Sequence, residues 1–331
     1  MQPIPFGGNM KPQRFFILFL AFCLTGCSFG RIIQEATLPP VQSPLPTAQT
    51  EPSATIETVP TEVPTVPPET EPAETIPLPV IVQPEPDDED FVKVKTYIPD
   101  IVVDLRYATG NNFTNQKIYD FTDAWLRYGT VKKLISVQEE LQQSGLYLKI
   151  WDGFRPVSAQ FTLWNVCPNP VYVANPNNGF SSHSRGNTVD ITLVDADGNE
   201  LVMPTGFDDF SKLADRDYRD CSDEAATNAM LLEQVMQKYG FKPYSGEWWH
   251  FTDIQSHSVE QVFEPIAATW FYADCNEYIS LRTKPSTAAE VITTIPAGEE
   301  FQVVAKCGDF ALIEYQNLFG YVLTGYIQPI Q

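Results

Sequence analysis

The sequence predicts an α+β fold: a region of mixed helices and strands followed by a small all-β unit. Three observations predict it. Between Phe91 and Phe263, two stretches with apolar residues at helical spacing lie among short runs with the period of a strand. From Trp270 onward, only short strand-like runs separated by turn signals remain. A hydrophobic share of 43% over 331 residues is enough to build both units.

Two segments precede the fold. Lys11 and Arg14 lead into the apolar run Phe15–Phe22, which closes with Leu24-Thr25-Gly26-Cys27. The run is too short for a comfortable transmembrane helix, and residues 1–27 have the charge-then-apolar order of a secretory signal. Its ending resembles a bacterial lipobox. That resemblance implies a lipid on Cys27, a membrane anchor and an extracytoplasmic location; an ordinary signal peptide with an incidental cysteine is the other reading. Residues 28–90 then form a Pro/Thr/Glu-rich spacer, with 14 of the 28 prolines between Pro39 and Pro86. Such a stretch is expected to be disordered and extended, because it buries too little apolar surface to offset its ordering entropy.

Charge narrows the partners. The formal net charge is −21, and twelve Asp or Glu fall between Gln34 and Val92, where Lys and Arg are absent. Nucleic acid is excluded as a partner, since neutralising phosphates requires clustered Lys and Arg.

The folded region spans residues 91–266. Residues 101–107, IVVDLRY, read as a buried strand. The stretch VKKLISVQEELQQSG carries Val131, Leu134, Ile135 and Leu141 at helical spacing and ends at Gly145. LYLKIW alternates Leu146, Leu148 and Ile150 with Tyr147, Lys149 and Trp151, as a strand does. A second helix is predicted over Asp223–Tyr239, with Leu231, Val235 and Tyr239 recurring, acidic residues in its first turn and Gly240 after its end. TVDITL and EWWHFTD read as short strands. Cys167, Cys221, Cys275 and Cys307 allow three pairings in an oxidising compartment. The division into two units favours Cys167 with Cys221 and Cys275 with Cys307; free buried thiols are the other reading.

Chemistry concentrates in two short stretches. In Val189-Asp190-Ile191-Thr192-Leu193 the apolar residues share one strand face, so Asp190 points the other way. A buried carboxylate needs a partner, because an unpaired buried charge costs several kcal/mol. Gly186 permits a tight return that brings His183 back beside Asp190. Downstream, Glu247 precedes His250 by three positions amid the aromatics Trp248, Trp249 and Phe251. Two neutral imidazoles and one carboxylate, His183, His250 and Asp190, make a three-ligand set that leaves Zn²⁺ one open position for water. Glu247 is then free to act as a base.

These residues carry a resemblance. Ser181-x-His183-x-x-Gly186-x-Thr188-x-Asp190 and Glu247-x-x-His250 resemble the zinc motifs of the D,D-peptidase superfamily. The stretches Asp104–Phe113 and Trp151-Asp152-Gly153-Phe154-Arg155-Pro156, with the doubled tryptophan of EWWHF, are similar to the D-alanyl-D-alanine dipeptidase branch. The resemblance implies an antiparallel sheet with flanking helices and one Zn²⁺ per chain. It implies Glu247 as the catalytic acid and base, and Arg155 as the group that stabilises charge on the substrate carbonyl, unless Arg155 merely pairs with Asp152 at a turn. Asp208 falls where the family places an acidic residue for the substrate's amine, and Ser181 is a candidate hydrogen-bond donor to substrate. Thr188 departs from the motif, which prefers alanine, at a position that does not bind metal. His257 is expected to be solvent-exposed.

Residues 268–331 resemble a bacterial SH3-like domain through Ser280-Leu281-Arg282-x-x-Pro285-Ser286-Thr287 and Gly320-Tyr321-Val322. This implies a small barrel that binds peptidoglycan and is dispensable for hydrolysis of a soluble dipeptide; a passive cap is the alternative. The implied substrates are D-Ala-D-Ala or, for a D,D-carboxypeptidase, peptidoglycan stem peptides. A wall-binding scaffold without activity is the third reading.

Overall fold

The computed structural model describes residues 81–330; the predicted signal segment 1–27, with Cys27, and most of the spacer lie outside the described residues. Among the described residues, no helix is long and apolar enough to cross a membrane.

In chain order, β1 (Phe91–Lys93) and the one-turn α1 (Val94–Tyr97) lead to β2 (Val102–Val103), β3 (Trp125–Arg127) and α2 (Tyr128–Gln142). The predicted strand over 101–107 is thus only two residues long. Past it, Asp104 and Arg106 turn to meet Lys149 and Glu200, each at 2.9 Å, and Arg106–Ala108 forms a 3₁₀ turn. Helix α2 buries Val131, Leu134 and Leu141 as their spacing predicts, and Gly145 ends it with φ 71°. It begins before Val131 because the carbonyls of Asp88 and Asp90 accept its first free amides, from Gly129 at 3.0 Å and Tyr128 at 2.8 Å.

Next come β4 (Tyr147–Asp152), α3 (Val157–Val166), β5 (Thr188–Val194), α4 (Asp223–Lys238), β6 (Phe241–Tyr244) and β7 (Glu247–Asp253). On α4, Ser222 accepts from the Ala225 amide at 3.2 Å and so caps the start. The buried stripe is Ala225, Ala229, Leu232, Val235 and Met236, so of the predicted trio only Val235 is fully buried. Tyr239 turns aside because its hydroxyl donates to Glu140 of α2 at 2.7 Å. The sheet runs β2-β4-β5-β7-β6, antiparallel except for the β2–β4 pair.

The all-β unit comprises β8 (Phe263–Ala273), β9 (Tyr278–Arg282), β10 (Val291–Pro296), β11 (Glu300–Cys307), β12 (Phe310–Tyr315), β13 (Leu318–Leu323) and β14 (Ile327–Pro329). Its strand order is β10-β9-β13-β12-β11-β8-β14. Leu281, Ile295, Phe301, Ile313 and Val322 form its own core. Val304, Ala305, Phe310, Leu312 and Tyr321 instead join the core of the mixed region. The strand β8 runs unbroken through residues 266–268, and its Phe263 stacks on Phe91 with ring centroids 4.4 Å apart.

Residues 83–90, within the predicted spacer, are held in place. The Gln83 amide group bonds both to the amide of Phe319 (2.6 Å) and to its carbonyl (3.2 Å). Lys284 of the barrel pairs with Asp87 at 2.7 Å and also with Asp90, while Lys132 of α2 pairs with Asp88 at 2.5 Å. The end of the stretch expected to be disordered is thus ordered, because its acidic residues find cations on both sides. Its Glu89 lies 2.9 Å from Nδ1 of His257, which is buried, contrary to the expected exposure. Among the described residues, Cys167, Cys221, Cys275 and Cys307 are free thiols.

Candidate metal centre and active site

The centre is built on two neighbouring strands and one tight turn. Asp190 of β5 and His250 of β7 are direct cross-strand partners, and Asp152 of β4 stands opposite Asp190 on the other side. The third ligand candidate arrives on the 3₁₀ turn Ser182–Arg185. Gly186 closes that turn at φ 77°, and a Cβ there would lie 2.4 Å from the Phe91 ring, so the turn requires glycine.

Donor atoms of His183, Asp190 and His250 all lie within 4.8 Å of one another. His183 Nε2 is 3.3 Å from Asp190 Oδ2 and 3.4 Å from His250 Nδ1, and His250 Nδ1 is 3.0 Å from Asp190 Oδ1. The far side of each imidazole is occupied. His183 Nδ1 donates to the Gly153 carbonyl at 2.8 Å, which turns Nε2 toward Asp190, and Ser182 Oγ is 3.3 Å from His250 Nε2. Asp190 Oδ1 is buried with no hydrogen-bond donor among the described residues. Although burial opposes it, the two imidazoles hold Asp190's carboxyl well below the usual carboxylate range. Three potential ligand atoms converge here, and two imidazole nitrogens with one carboxylate oxygen suit zinc.

Glu247 begins β7, with Oε2 3.5 Å from His250 Nδ1. Burial and, after it, the Asp190 charge push its carboxyl above the usual range, the direction a base acting near neutral pH needs. Arg155 is buried. Its Nη2 donates to Asp152 at 2.5 Å, Nη1 to Gln160 at 3.0 Å and Nε to the Tyr119 hydroxyl at 3.2 Å. The pairing with Asp152 therefore exists, and it braces the guanidinium in one orientation. Asp208 sits at φ 53° and accepts from the Tyr107 hydroxyl at 2.6 Å; burial pushes its carboxyl up to about 8. Ser181 accepts from the His183 amide at 3.3 Å, so its hydroxyl caps the ligand turn. Thr188 is buried, with its hydroxyl 3.0 Å from that of Thr252.

Sequence reasoning did not find Ser182, Tyr119 or Gln160. Ser182 was open to detection, since it adjoins a ligand. Tyr119 and Gln160 carry no motif and meet Arg155 only because the loop before β3 and helix α3 fold over the same end of β4.

The D-ala-D-ala dipeptidase profile of peptidase family M15 matches residues 87–268, and the bacterial SH3 domain profile matches residues 277–328. A D-alanyl-D-alanine dipeptidase of Escherichia coli (strain K12) is 37% identical over 172 residues, covering 52% of this chain and 89% of that protein. One of Streptomyces coelicolor is 32% identical over 203 residues, covering 54% of this chain and 98% of the relative. Another, of Enterococcus faecium, is 31% identical over 172 residues, covering 45% and 83% respectively. With a profile spanning over half of its length and relatives matched along nearly all of theirs, the chain belongs to peptidase family M15, the D-ala-D-ala dipeptidases.

Proposed function

We propose that the protein is a zinc-dependent D-Ala-D-Ala dipeptidase acting at the cell surface, anchored by a lipid on Cys27 and held near peptidoglycan by its barrel. The observation that carries the catalytic part is the convergence of His183, Asp190 and His250 with Glu247 beside them. Relatives named D-alanyl-D-alanine dipeptidase support the substrate, and the bacterial SH3 match supports the wall contact.

When bound at the three donors, Zn²⁺ supplies a Lewis acid for the scissile carbonyl and lowers the pKa of water toward about 7. The chain does the rest. Glu247, whose carboxylate is destabilised by burial, takes a proton from the attacking water and later delivers it to the leaving amine. Arg155, oriented by Asp152 and Gln160, stabilises the negative charge that grows on the carbonyl oxygen. Asp208, braced by Tyr107, pairs with the substrate's free ammonium.

The decisive comparison uses one zinc-loaded preparation with D-Ala-D-Ala, N-acetyl-D-Ala-D-Ala and a stem pentapeptide ending in D-Ala-D-Ala. The free dipeptide is expected to be cleaved far faster than either, since an acyl group removes the cation that Asp208 meets. Preferential release of D-Ala from the pentapeptide would instead assign a carboxypeptidase, and zinc binding without hydrolysis of any of them would leave a scaffold.

A further inference from the structure

The strand that carries Glu247 and His250 is weakly held by the sheet at the end that matters. Among the described residues, β5 pairs with β7 only as far as His250, so Glu247, Trp248 and Trp249 extend beyond that ladder. On the other side, β6 pairs Tyr244 with Glu247 only after a register shift between Pro243 and Tyr244, and Pro243, opposite Phe251, has no amide hydrogen to give. Yet an acid-base carboxylate must be held to within a fraction of an ångström. The buried Trp248 and Trp249 and the Tyr244 pairing hold part of this segment, and a side-chain tie can fix the rest.

Arg216 is placed to do so. It lies in the connection between β5 and α4, and its side chain is only 8% exposed. Nε donates to the carbonyl of Tyr244 at 2.7 Å, and Nη2 donates to the carbonyl of His250 at 3.0 Å. Those two carbonyls flank Glu247 in the chain. The remaining edge of the guanidinium is anchored: Nη1 is 3.0 Å from Glu233 of α4 and 3.3 Å from the Tyr218 hydroxyl, which itself donates to Glu233 at 2.8 Å. The plane lies 4.4 Å from the centroid of the Phe251 ring, and the Arg216 amide donates to the Ser245 carbonyl at 3.3 Å.

We propose that Arg216 is a positioning residue that clamps the Tyr244–His250 segment by the carbonyls at its two ends and ties it to α4, setting both the base and one metal ligand. The role rests on the dipeptidase reading above for its chemistry, but not for its effect on metal binding. It depends on the planar fork of the guanidinium rather than on its charge, because two carbonyls and a carboxylate are addressed in fixed directions at once. The same loop carries Asp208 eight positions earlier, so the group proposed for the substrate's amine and the clamp on the base belong to one connection.

The test uses the full chain with Arg216→Lys and Arg216→Ala. Zinc affinity is read by chelator competition, which needs no substrate, and kcat and KM are read on D-Ala-D-Ala. Lysine keeps the charge and loses the fork, so both variants are expected to bind zinc roughly tenfold or more weakly, within the range seen when groups supporting metal ligands are removed. A fall in kcat of about 10²-fold with KM little changed is expected from misplacing the base. Methylguanidinium added to Arg216→Ala should recover part of both losses. Should Arg216→Ala not fold, Arg216→Lys and Tyr218→Phe, which loosens the anchor, give the same readouts in smaller measure. Wild-type zinc affinity and kcat in Arg216→Lys overturn the proposal, as do losses in Arg216→Ala that methylguanidinium leaves untouched. If the parent protein binds zinc but hydrolyses no dipeptide, the dipeptidase reading fails while the zinc measurements still decide the clamp.

Discussion

Asp208 holds a proton that its proposed ligand must displace. Burial pushes it up to about 8, so below that pH the free enzyme presents a neutral acid bonded to Tyr107. With the folded pKa raised, the stabilising contribution of that proton is fully present below the unfolded value near ~4 and is lost as pH rises through about 8. An arriving ammonium favours the carboxylate and expels the proton. Binding of a phosphinate analogue of D-Ala-D-Ala at pH 6.5 is therefore expected to release close to one proton, a release that fades above pH 8 and vanishes in Asp208→Asn. Calorimetry in buffers of different ionisation enthalpy measures it, and binding without release at pH 6.5 would remove Asp208 from the amine site. A second expectation separates chemistry from ligation: Glu247→Gln keeps its zinc and loses roughly 10²–10⁴ in turnover, whereas Ser182→Ala, freeing the back of His250, weakens zinc affinity by about tenfold. Metal content and kcat measured on the same samples distinguish the two. At this scale the candidate ligands were legible, because strand pairing and one glycine turn bring close the residues that the motifs space apart. The braces of Arg155 were not, since Tyr119 and Gln160 reach it from other segments through tertiary packing alone.

The turn around Gly186 shows how much one element can carry. It must adopt a left-handed backbone, must admit the Phe91 ring at van der Waals distance, and must aim His183 at Asp190. Gly186→Ala is expected to cost ~1–2 kcal/mol from the backbone alone, with more from displacing Phe91. The accompanying loss of zinc affinity should exceed that of a surface Gly→Ala change such as Gly325→Ala, where a Cβ meets open space and the backbone is not left-handed. Equal thermal unfolding and equal zinc affinity in the two variants would refute the constraint. Elements differed in how openly the sequence announced them. Helices α2 and α4 were readable because each has one apolar stripe and a terminating glycine, though the α4 stripe proved to be centred on Ala225, Ala229 and Leu232. Helix α3 was hidden, since Val157, Ala159, Phe161 and Leu163 alternate with polar residues at the period of a strand while the segment folds as a helix after Pro156.

The sequence suggested two folding units joined end to end; the molecule shares a sheet between two cores. One side of the barrel's strands serves its interior, and the other brings Leu312 and Tyr321 to the core that holds Phe91 and Trp125. Removing residues 268–331 is therefore expected to strip apolar cover from the catalytic region and to lower its unfolding temperature sharply, instead of leaving hydrolysis intact. Chains starting at residue 81 should unfold in a single calorimetric transition; a truncated protein with unchanged melting temperature and zinc affinity would show that the shared sheet contributes nothing. This arrangement also limits inheritance. A module that ends at a flexible linker can be shuffled among enzymes as a cassette, but this barrel can change partners only if the face bearing Val304, Leu312 and Tyr321 changes with it. Substitutions on that face should covary with those at Phe91, Trp125 and Phe263 across descendants of the same ancestor, while the barrel's outward-facing residues, such as Trp270 and Tyr326, remain free to vary on their own.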